Sequence, residues 1–131
     1  MVHSIFLYPL NGSFNASVIE QFLMERPDVL LDPLGSGTYL VCGVPEAKEV
    51  YRDSRLARPS EFPYVVLLTV KPDCVNVFQE YGDEYELRSA REIVRWMIEH
   101  NRCRIQDEYY KDWTERVAQQ GVEVLYPEQL V

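Results

Sequence analysis

The sequence has few of the residues on which catalytic and metal sites depend. It contains two histidines, His3 and His100, and three widely separated cysteines, Cys42, Cys74 and Cys103. These residues include no C-x-x-C pair, and their spacing is not that of a usual zinc site. The sequence therefore predicts no metal ion and no cofactor, and no motif in it identifies a catalytic residue.

Basic residues are outnumbered. There are 13 lysines and arginines against 21 aspartates and glutamates, which gives a formal net charge of −8. Binding to nucleic acids and to anionic bilayers depends on Lys and Arg side chains, so we expect no nucleic-acid partner and no membrane partner. The same excess of negative charge keeps a protein soluble and attracts basic partners.

Two further absences bear on the cellular compartment. The first residues lack a basic region and have too short an apolar run for a secretory signal peptide. No stretch of the chain reaches the roughly 18 apolar residues that a membrane span needs. A sparse and odd set of cysteines is also untypical of a secreted, disulfide-stabilised domain. Together these features predict a cytoplasmic protein with free thiols.

The chain does have enough apolar residues for a core. Its 131 residues are 47% apolar, without repeats, low-complexity tracts or linkers, which suits one domain over residues 1–131. Apolar runs and alternating patterns predict strands over residues 4–8, 38–42, 64–70, 75–79, 103–107 and 122–126. The run at 64–70 is continuously apolar, which favours a central strand buried on both faces.

Helices are predicted between these strands. The first follows a cap at Ser13 or Asn15 and ends before Pro27, a short one covers residues 45–55, and another opens near residue 112 and ends at Gly121. The best-marked helix begins at a capping box formed by Ser89 and Glu92, and it ends at a left-handed Asn101. The fold class is therefore α+β, with a mainly antiparallel or mixed sheet of five to six strands and two to four helices packed against it.

Residues 80–88 allow two interpretations. Gly82 and Asp83 suit a two-residue hairpin turn, after which residues 84–88 return as a strand. Alternatively, the next helix begins at Glu84.

Two segments combine aromatic and acidic residues. Residues 80–86 contain four acidic groups and two tyrosines around the predicted turn, and residues 107–113 form a similar run. Tyr and Trp contribute much of the binding energy of protein interfaces, and carboxylates set their charge complementarity. The candidate partner-binding residues are Tyr81, Asp83, Glu84, Tyr85, Glu86, Tyr109, Tyr110 and Trp113. The alternative is that these rings occupy half-buried positions with their polar ends in water.

These observations favour a non-catalytic protein-interaction domain. An inhibitor or immunity-like protein that binds a basic protein partner is one form of it, and a homodimer is also open. A second hypothesis is a small enzyme that uses a cysteine with His100. A third is a domain that senses a small ligand in a pocket between the sheet and the helix after Ser89.

Overall fold

The computed structural model describes residues 3–32, 37–79 and 83–127. In this part of the chain six strands form one antiparallel sheet in the order β2-β3-β4-β5-β1-β6. The strands are β1 (Ser4–Pro9), β2 (Val29–Leu31), β3 (Thr38–Cys42), β4 (Tyr64–Lys71), β5 (Cys74–Gln79) and β6 (Cys103–Asp107). The helices are α1 (Ala16–Glu25), α2 (Ala47–Asp53), α3 (Glu84–His100) and α4 (Thr114–Gln120). The predicted α+β class is confirmed.

The sheet has two unequal faces, because successive side chains of a strand point to opposite sides. We call the face that carries Val66 and Leu68 the inner face. It is buried against α1 and α3, and it holds most of the hydrophobic core. The opposite, outer face carries Val65 and Leu67, which are half-buried. The expectation that β4 is buried on both faces is therefore wrong: only the inner face is fully covered.

Helices α1 and α3 cover the inner face. The Asn15 side chain accepts a hydrogen bond from the backbone N–H of Val18, as expected for an N-cap, and the helix ends just before Pro27. Helix α3 buries Ile93 and Met97 in the core. The rings of Phe22 in α1 and Trp96 in α3 stack at 4.1 Å, which joins the two helices.

The return strand predicted over residues 84–88 is wrong, and the alternative of a helix that begins at Glu84 is confirmed. Asp83 is the N-cap, and its carboxylate accepts a hydrogen bond from the Glu86 N–H at 2.8 Å. Glu84 and Glu86 in the first turn suit the positive end of the helix dipole. Ser89 consequently lies inside the helix, only 2% exposed, and is not its start. Gly82 of the predicted turn lies outside the described residues.

Two smaller expectations also fail, and one strand was missed. Residues 122–126 are not a strand, because Val122–Val124 form a 3-10 turn that presses Leu125 and Tyr126 into the core. Asn101 has extended backbone angles (φ −143°) and is no left-handed terminator. The edge strand β2 was not predicted at all. Gly121, with φ at 86°, ends α4 as expected.

Candidate protein-interaction surface

A short loop after β6 displays two of the predicted tyrosines. Asp107, the last residue of β6, is 4% exposed, and its carboxylate accepts three hydrogen bonds. Oδ1 accepts from the backbone N–H groups of Tyr109 at 2.8 Å and Lys111 at 3.0 Å, and Oδ2 accepts from Nε1 of Trp113 at 2.9 Å. We call residues 108–111 the tyrosine loop. One buried carboxylate thus holds its backbone from both sides.

Both tyrosines of this loop point into solvent. Tyr109 is 75% exposed and Tyr110 is 84% exposed. Tyr110 adopts φ at 67°, in the left-handed region that non-glycine residues rarely occupy. Such backbone conformations persist where the surrounding structure imposes them, and they are common at ligand-binding positions. Two large rings in water on a loop with a defined backbone are characteristic of a contact surface.

Hydrogen bonds stabilise the negative charge of Asp107. Burial by itself disfavours the ionised form, but the hydrogen bonds from Trp113, Lys111 and Tyr109 outweigh that cost and hold the pKa of Asp107 below its ordinary value. The carboxylate is therefore ionised at neutral pH, when it accepts all three bonds.

Trp113, another predicted contact residue, lies in the core instead. Its ring is 9% exposed and belongs to the main hydrophobic cluster. Lys111 and Arg116 lie over it, with their charged groups 4.3 and 4.8 Å from the ring centroid. Trp113 therefore supports the tyrosine loop from behind.

The first acidic run plays a mostly structural part. Asp83 caps α3, and Glu86 is fully buried behind it. Glu84 is exposed beside the cap. Tyr81 lies outside the described residues. For Asp83, Glu84 and Glu86 the predicted hairpin tip is thus replaced by the cap and first turn of a helix, while Glu80 lies outside the described residues.

Tyr85 belongs to a polar network between α1 and α3. Its hydroxyl donates a hydrogen bond to Oδ2 of Asp28 at 2.8 Å, and Asp28 is 4% exposed. Arg26 binds the same carboxylate through two nitrogens at 3.0 Å and also pairs with Glu92 at 2.9 Å. Burial and the hydrogen bond to Asp28 raise the pKa of Tyr85. This tyrosine links α3 to the segment that follows α1, and it is only partly available to a partner.

The outer face of the sheet adds a second aromatic area that the sequence reasoning missed. Phe6 and Tyr8 of β1 and Phe78 of β5 point to this side and are half-buried. Helix α2 and the 3-10 turn Pro59–Glu61 cover the outer face near β2 and β3, where a small second cluster forms. Neither hydrophobic cluster of the described residues includes the three rings. The alternation within residues 4–8 was a usable signal, because Phe6 and Tyr8 share one face of a strand.

Tyr8 connects the outer face to the tyrosine loop. It lies opposite Arg104 in the sheet, and the Arg104 guanidinium is 4.7 Å from its ring centroid. Burial raises the pKa of Tyr8, and the neighbouring Cys74 and Tyr110 raise it further, against the effect of Arg104. Tyr8 therefore lies beside β6, the strand that leads into the tyrosine loop. We call Phe6, Tyr8, Phe78, Tyr109 and Tyr110 the outer tyrosine surface.

The cysteines offer little to nucleophilic chemistry. Burial raises the pKa of Cys42, with a contribution from Asp28, to about 12, and raises that of Cys103 to about 11. Burial and Asp73 also raise the pKa of Cys74. All three thiols are thus protonated at neutral pH, whereas a reactive cysteine needs a lowered pKa.

His100 is engaged elsewhere. Its ring stacks on Trp96 at 4.4 Å, and its Nδ1 lies 2.8 Å from the Trp96 carbonyl oxygen. In the described residues no hydrogen bond joins this histidine to a cysteine. Within the same ranges, no group of three His, Cys, Asp or Glu side chains is arranged to hold a metal ion.

Comparison with known proteins finds no family model, no curated protein and no solved structure that matches this chain. No helix within residues 3–32, 37–79 and 83–127 is long and apolar enough to cross a bilayer.

Proposed function

We propose that the chain is a non-catalytic protein-interaction domain that binds a basic protein partner through its outer tyrosine surface. An inhibitor or immunity-like protein works in this way, by covering the surface of its partner. The observation that carries the proposal is the tyrosine loop, where the buried Asp107 holds a backbone that displays Tyr109 and Tyr110 almost fully to solvent.

The energetics of binding favour such a loop. Association loses affinity when flexible groups must be ordered, so a contact loop that is already held in place binds more tightly. Tyr side chains have few rotatable bonds and a large area, and they are enriched among residues that dominate interface energies. The half-buried rings of Phe6, Tyr8 and Phe78 on the outer face add a second aromatic area. Exposed apolar and aromatic areas often mark interaction sites.

Charge selects the kind of partner. With a net charge of −8, the chain attracts a basic protein over long range and repels an acidic one. Among the predicted carboxylates, Asp83 and Glu84 are exposed, whereas Glu86 is buried and takes no direct part. We therefore expect association with the partner to slow as salt is added, because surface charges are screened within about 8 Å at physiological ionic strength.

Site-specific photocrosslinking in cells tests this proposal. Tyr109 is replaced by p-benzoylphenylalanine, and the matched control places the same residue at Val18, which is 46% exposed on α1, on the other side of the sheet. We expect position 109 to crosslink one basic protein and position 18 not to crosslink it. Crosslinking of a second copy of this chain or of an acidic protein contradicts the proposal, as does equal or absent crosslinking at both positions.

The affinity for the purified partner gives the second measurement. Tyr109→Ala removes one ring, and Tyr110→Asn removes the other with a residue that tolerates positive φ. We expect each variant to bind at least about 10-fold more weakly, which is the usual loss at a dominant interface residue. The control, Val18→Ala, should bind as the parent does. Unchanged affinity in both tyrosine variants overturns the proposal.

A further inference from the structure

A small cleft lies on the molecule at the corner where α3 turns into β6. Its volume is about 270 Å³. One wall is the end of β1 and the segment that leads to α1, with Pro9, Asn11, Ser13 and Phe14, and the other wall is His100, Asn101 and Arg102. None of these residues belongs to the outer tyrosine surface.

Hydrogen bonds hold both walls in place. The N–H of Leu10 donates to the carbonyl of Arg102 at 3.0 Å, and the N–H of Phe14 donates to the carbonyl of Pro72 at 2.8 Å. The side-chain amide of Asn101 donates to the carbonyl of Met97 at 3.0 Å. The cleft is therefore preformed, as small-molecule sites usually are.

The His100 ring is oriented as well. Because Nδ1 lies 2.8 Å from the carbonyl oxygen of Trp96, Nδ1 carries the proton of that hydrogen bond. Stacking on Trp96 at 4.4 Å restricts the ring further, and Trp96 itself stacks on Phe22. Because the neutral ring then has only an acceptor at Nε2, His100 donates a hydrogen bond from Nε2 to an anion only in the charged, doubly protonated ring.

The polar groups of the cleft suit an anion. Arg102 and His100 are its ionisable lining residues, and no carboxylate is among them. This is notable in a chain with eight excess negative charges. The lining also includes Ser13 and Asn11, whose side chains are able to donate hydrogen bonds, and the apolar residues Pro9 and Phe14. A guanidinium binds carboxylate and phosphate oxygens through two parallel hydrogen bonds.

We propose that this cleft binds a small organic anion, whose carboxylate or phosphate contacts Arg102 and His100 and whose apolar part lies against Pro9 and Phe14. The volume lies just below the roughly 300–1,000 Å³ of typical small-molecule pockets, which limits the ligand to the size of a single ring with its anionic group. This inference is independent of the proposed partner binding, because it rests on different residues.

A titration followed by ¹H–¹⁵N NMR tests the inference with benzoate and phenyl phosphate as probes. Benzyl alcohol, which keeps the ring but has no charge, is the neutral control. We expect saturable shifts in the amides of Asn11, Ser13, His100, Asn101 and Arg102, with a Kd of about 1 mM or lower for at least one anion. The two probes distinguish a carboxylate site from a phosphate site. Benzyl alcohol should give no saturable shift.

Substitutions locate the binding groups. Arg102→Gln should weaken anion binding at least about 10-fold, since it removes a charge-assisted pair. Arg116→Gln, which removes an exposed arginine from α4, should leave binding unchanged. His100→Gln should also weaken anion binding. It removes the stack on Trp96 as well, so if that loss disturbs the fold, Arg102→Gln alone decides the test. The inference is overturned by no saturable shift with either anion, by equal binding of benzyl alcohol, or by full affinity in Arg102→Gln.

Discussion

The indole Nε1 of Trp113 donates a hydrogen bond to Oδ2 of Asp107 across 2.9 Å. The other oxygen of the same carboxylate accepts from two backbone N–H groups of the tyrosine loop. A buried aromatic residue at the start of α4 and an exposed loop after β6 therefore depend on one acidic side chain. The consequence is that Trp113 acts on the interaction surface indirectly, by orienting the group that holds it.

Asp107→Asn should lower the free energy of unfolding by about 1–3 kcal/mol, because the amide offers one acceptor oxygen to three donors and leaves a buried donor unsatisfied. Urea denaturation followed by Trp fluorescence measures this. The control is Asp112→Asn. Asp112 is exposed, and its carboxylate accepts a hydrogen bond from the Thr114 N–H at 2.8 Å, which the amide oxygen of an asparagine also accepts. Its change should stay within about 0.5 kcal/mol. Equal losses in both variants contradict the assigned role of Asp107.

The same carboxylate should make stability depend on pH in acid. The pKa of Asp107 in the folded state lies below its ordinary value, which is about 3.9 in an unfolded chain. The unfolded state therefore binds more protons in this window, so the stabilisation is present above about pH 4 and is lost as pH falls through the folded pKa. Urea denaturation is measured at intervals of about 0.5 pH unit between about pH 5.5 and pH 2.5. Over this range the free energy of unfolding should fall less in Asp107→Asn than in the parent. Parallel curves for the two proteins would count against this interpretation.

Tyr85→Phe should destabilise the fold by about 1.5–3 kcal/mol, the usual value for a hydrogen bond to a charged group, because Asp28 is buried and loses a donor. Tyr109→Phe is the matched control: that tyrosine is 75% exposed, so its change should be within about 0.5 kcal/mol. Thermal and urea unfolding at pH 7 provide the comparison. A loss in the control as large as that in Tyr85→Phe is the contrary result.

The stabilisation that Tyr85 provides should be lost at high pH. Burial and the hydrogen bond to Asp28 raise its pKa above the ordinary value near 10. The folded state keeps a proton that the unfolded state releases, so this stabilisation is complete below about pH 10 and declines as pH rises above it. The free energy of unfolding between about pH 8 and pH 11 should therefore fall less steeply in Tyr85→Phe than in the parent. If the free energy of unfolding falls equally with pH in both proteins, the ionisation of Tyr85 does not cause the loss of stability in base.

Two glycines with positive φ allow a matched test of packing. Gly37 and Gly12 have φ at 73° and 66°, so alanine is strained at both. A Cβ at Gly37 would also overlap the carbonyl oxygen of Val70, whereas a Cβ at Gly12 meets nothing within 4 Å. Gly12→Ala should cost about 1 kcal/mol, and Gly37→Ala at least about 2 kcal/mol more, in urea denaturation. A similar loss of unfolding free energy at both positions would show that backbone strain alone destabilises the variants and that the contact with Val70 contributes nothing.

The sequence pattern located most of the regular structure. The caps at Asn15 and Gly121 and the alternation in β1, β5 and β6 are local signals, and local signals act over a few residues. The capping box formed by Ser89 and Glu92 predicts a cap six residues later than Asp83, which supplies it, whereas the alternative start at Glu84 is confirmed. Strand β2, with three residues, is too short for a periodic signal and exists because Val29–Leu31 pair with β3.

The candidate interaction site was also only partly predictable from the sequence. Composition pointed to the acidic and aromatic runs, and Tyr109 and Tyr110 do lie at the surface. Composition did not separate them from Trp113 and Glu86, which are buried, or show that Phe6, Tyr8 and Phe78 share the outer face of the sheet. Whether an aromatic ring faces solvent depends on which strands pair and which face the helices cover, and those contacts join residues far apart in the chain.

By itself, then, the sequence determined the charge, the α+β class and most of the strands and helices, because these follow from composition and short-range periodicity. Only the tertiary structure decided which side chains form surfaces. It placed β1 between β5 and β6 and turned Asp107 inward to hold the tyrosine loop; among the residues that the structure describes, no hydrophobic cluster covers the outer face beside β6. The physical reason is that a buried carboxylate acquires its hydrogen-bond donors only when the chain has folded around it.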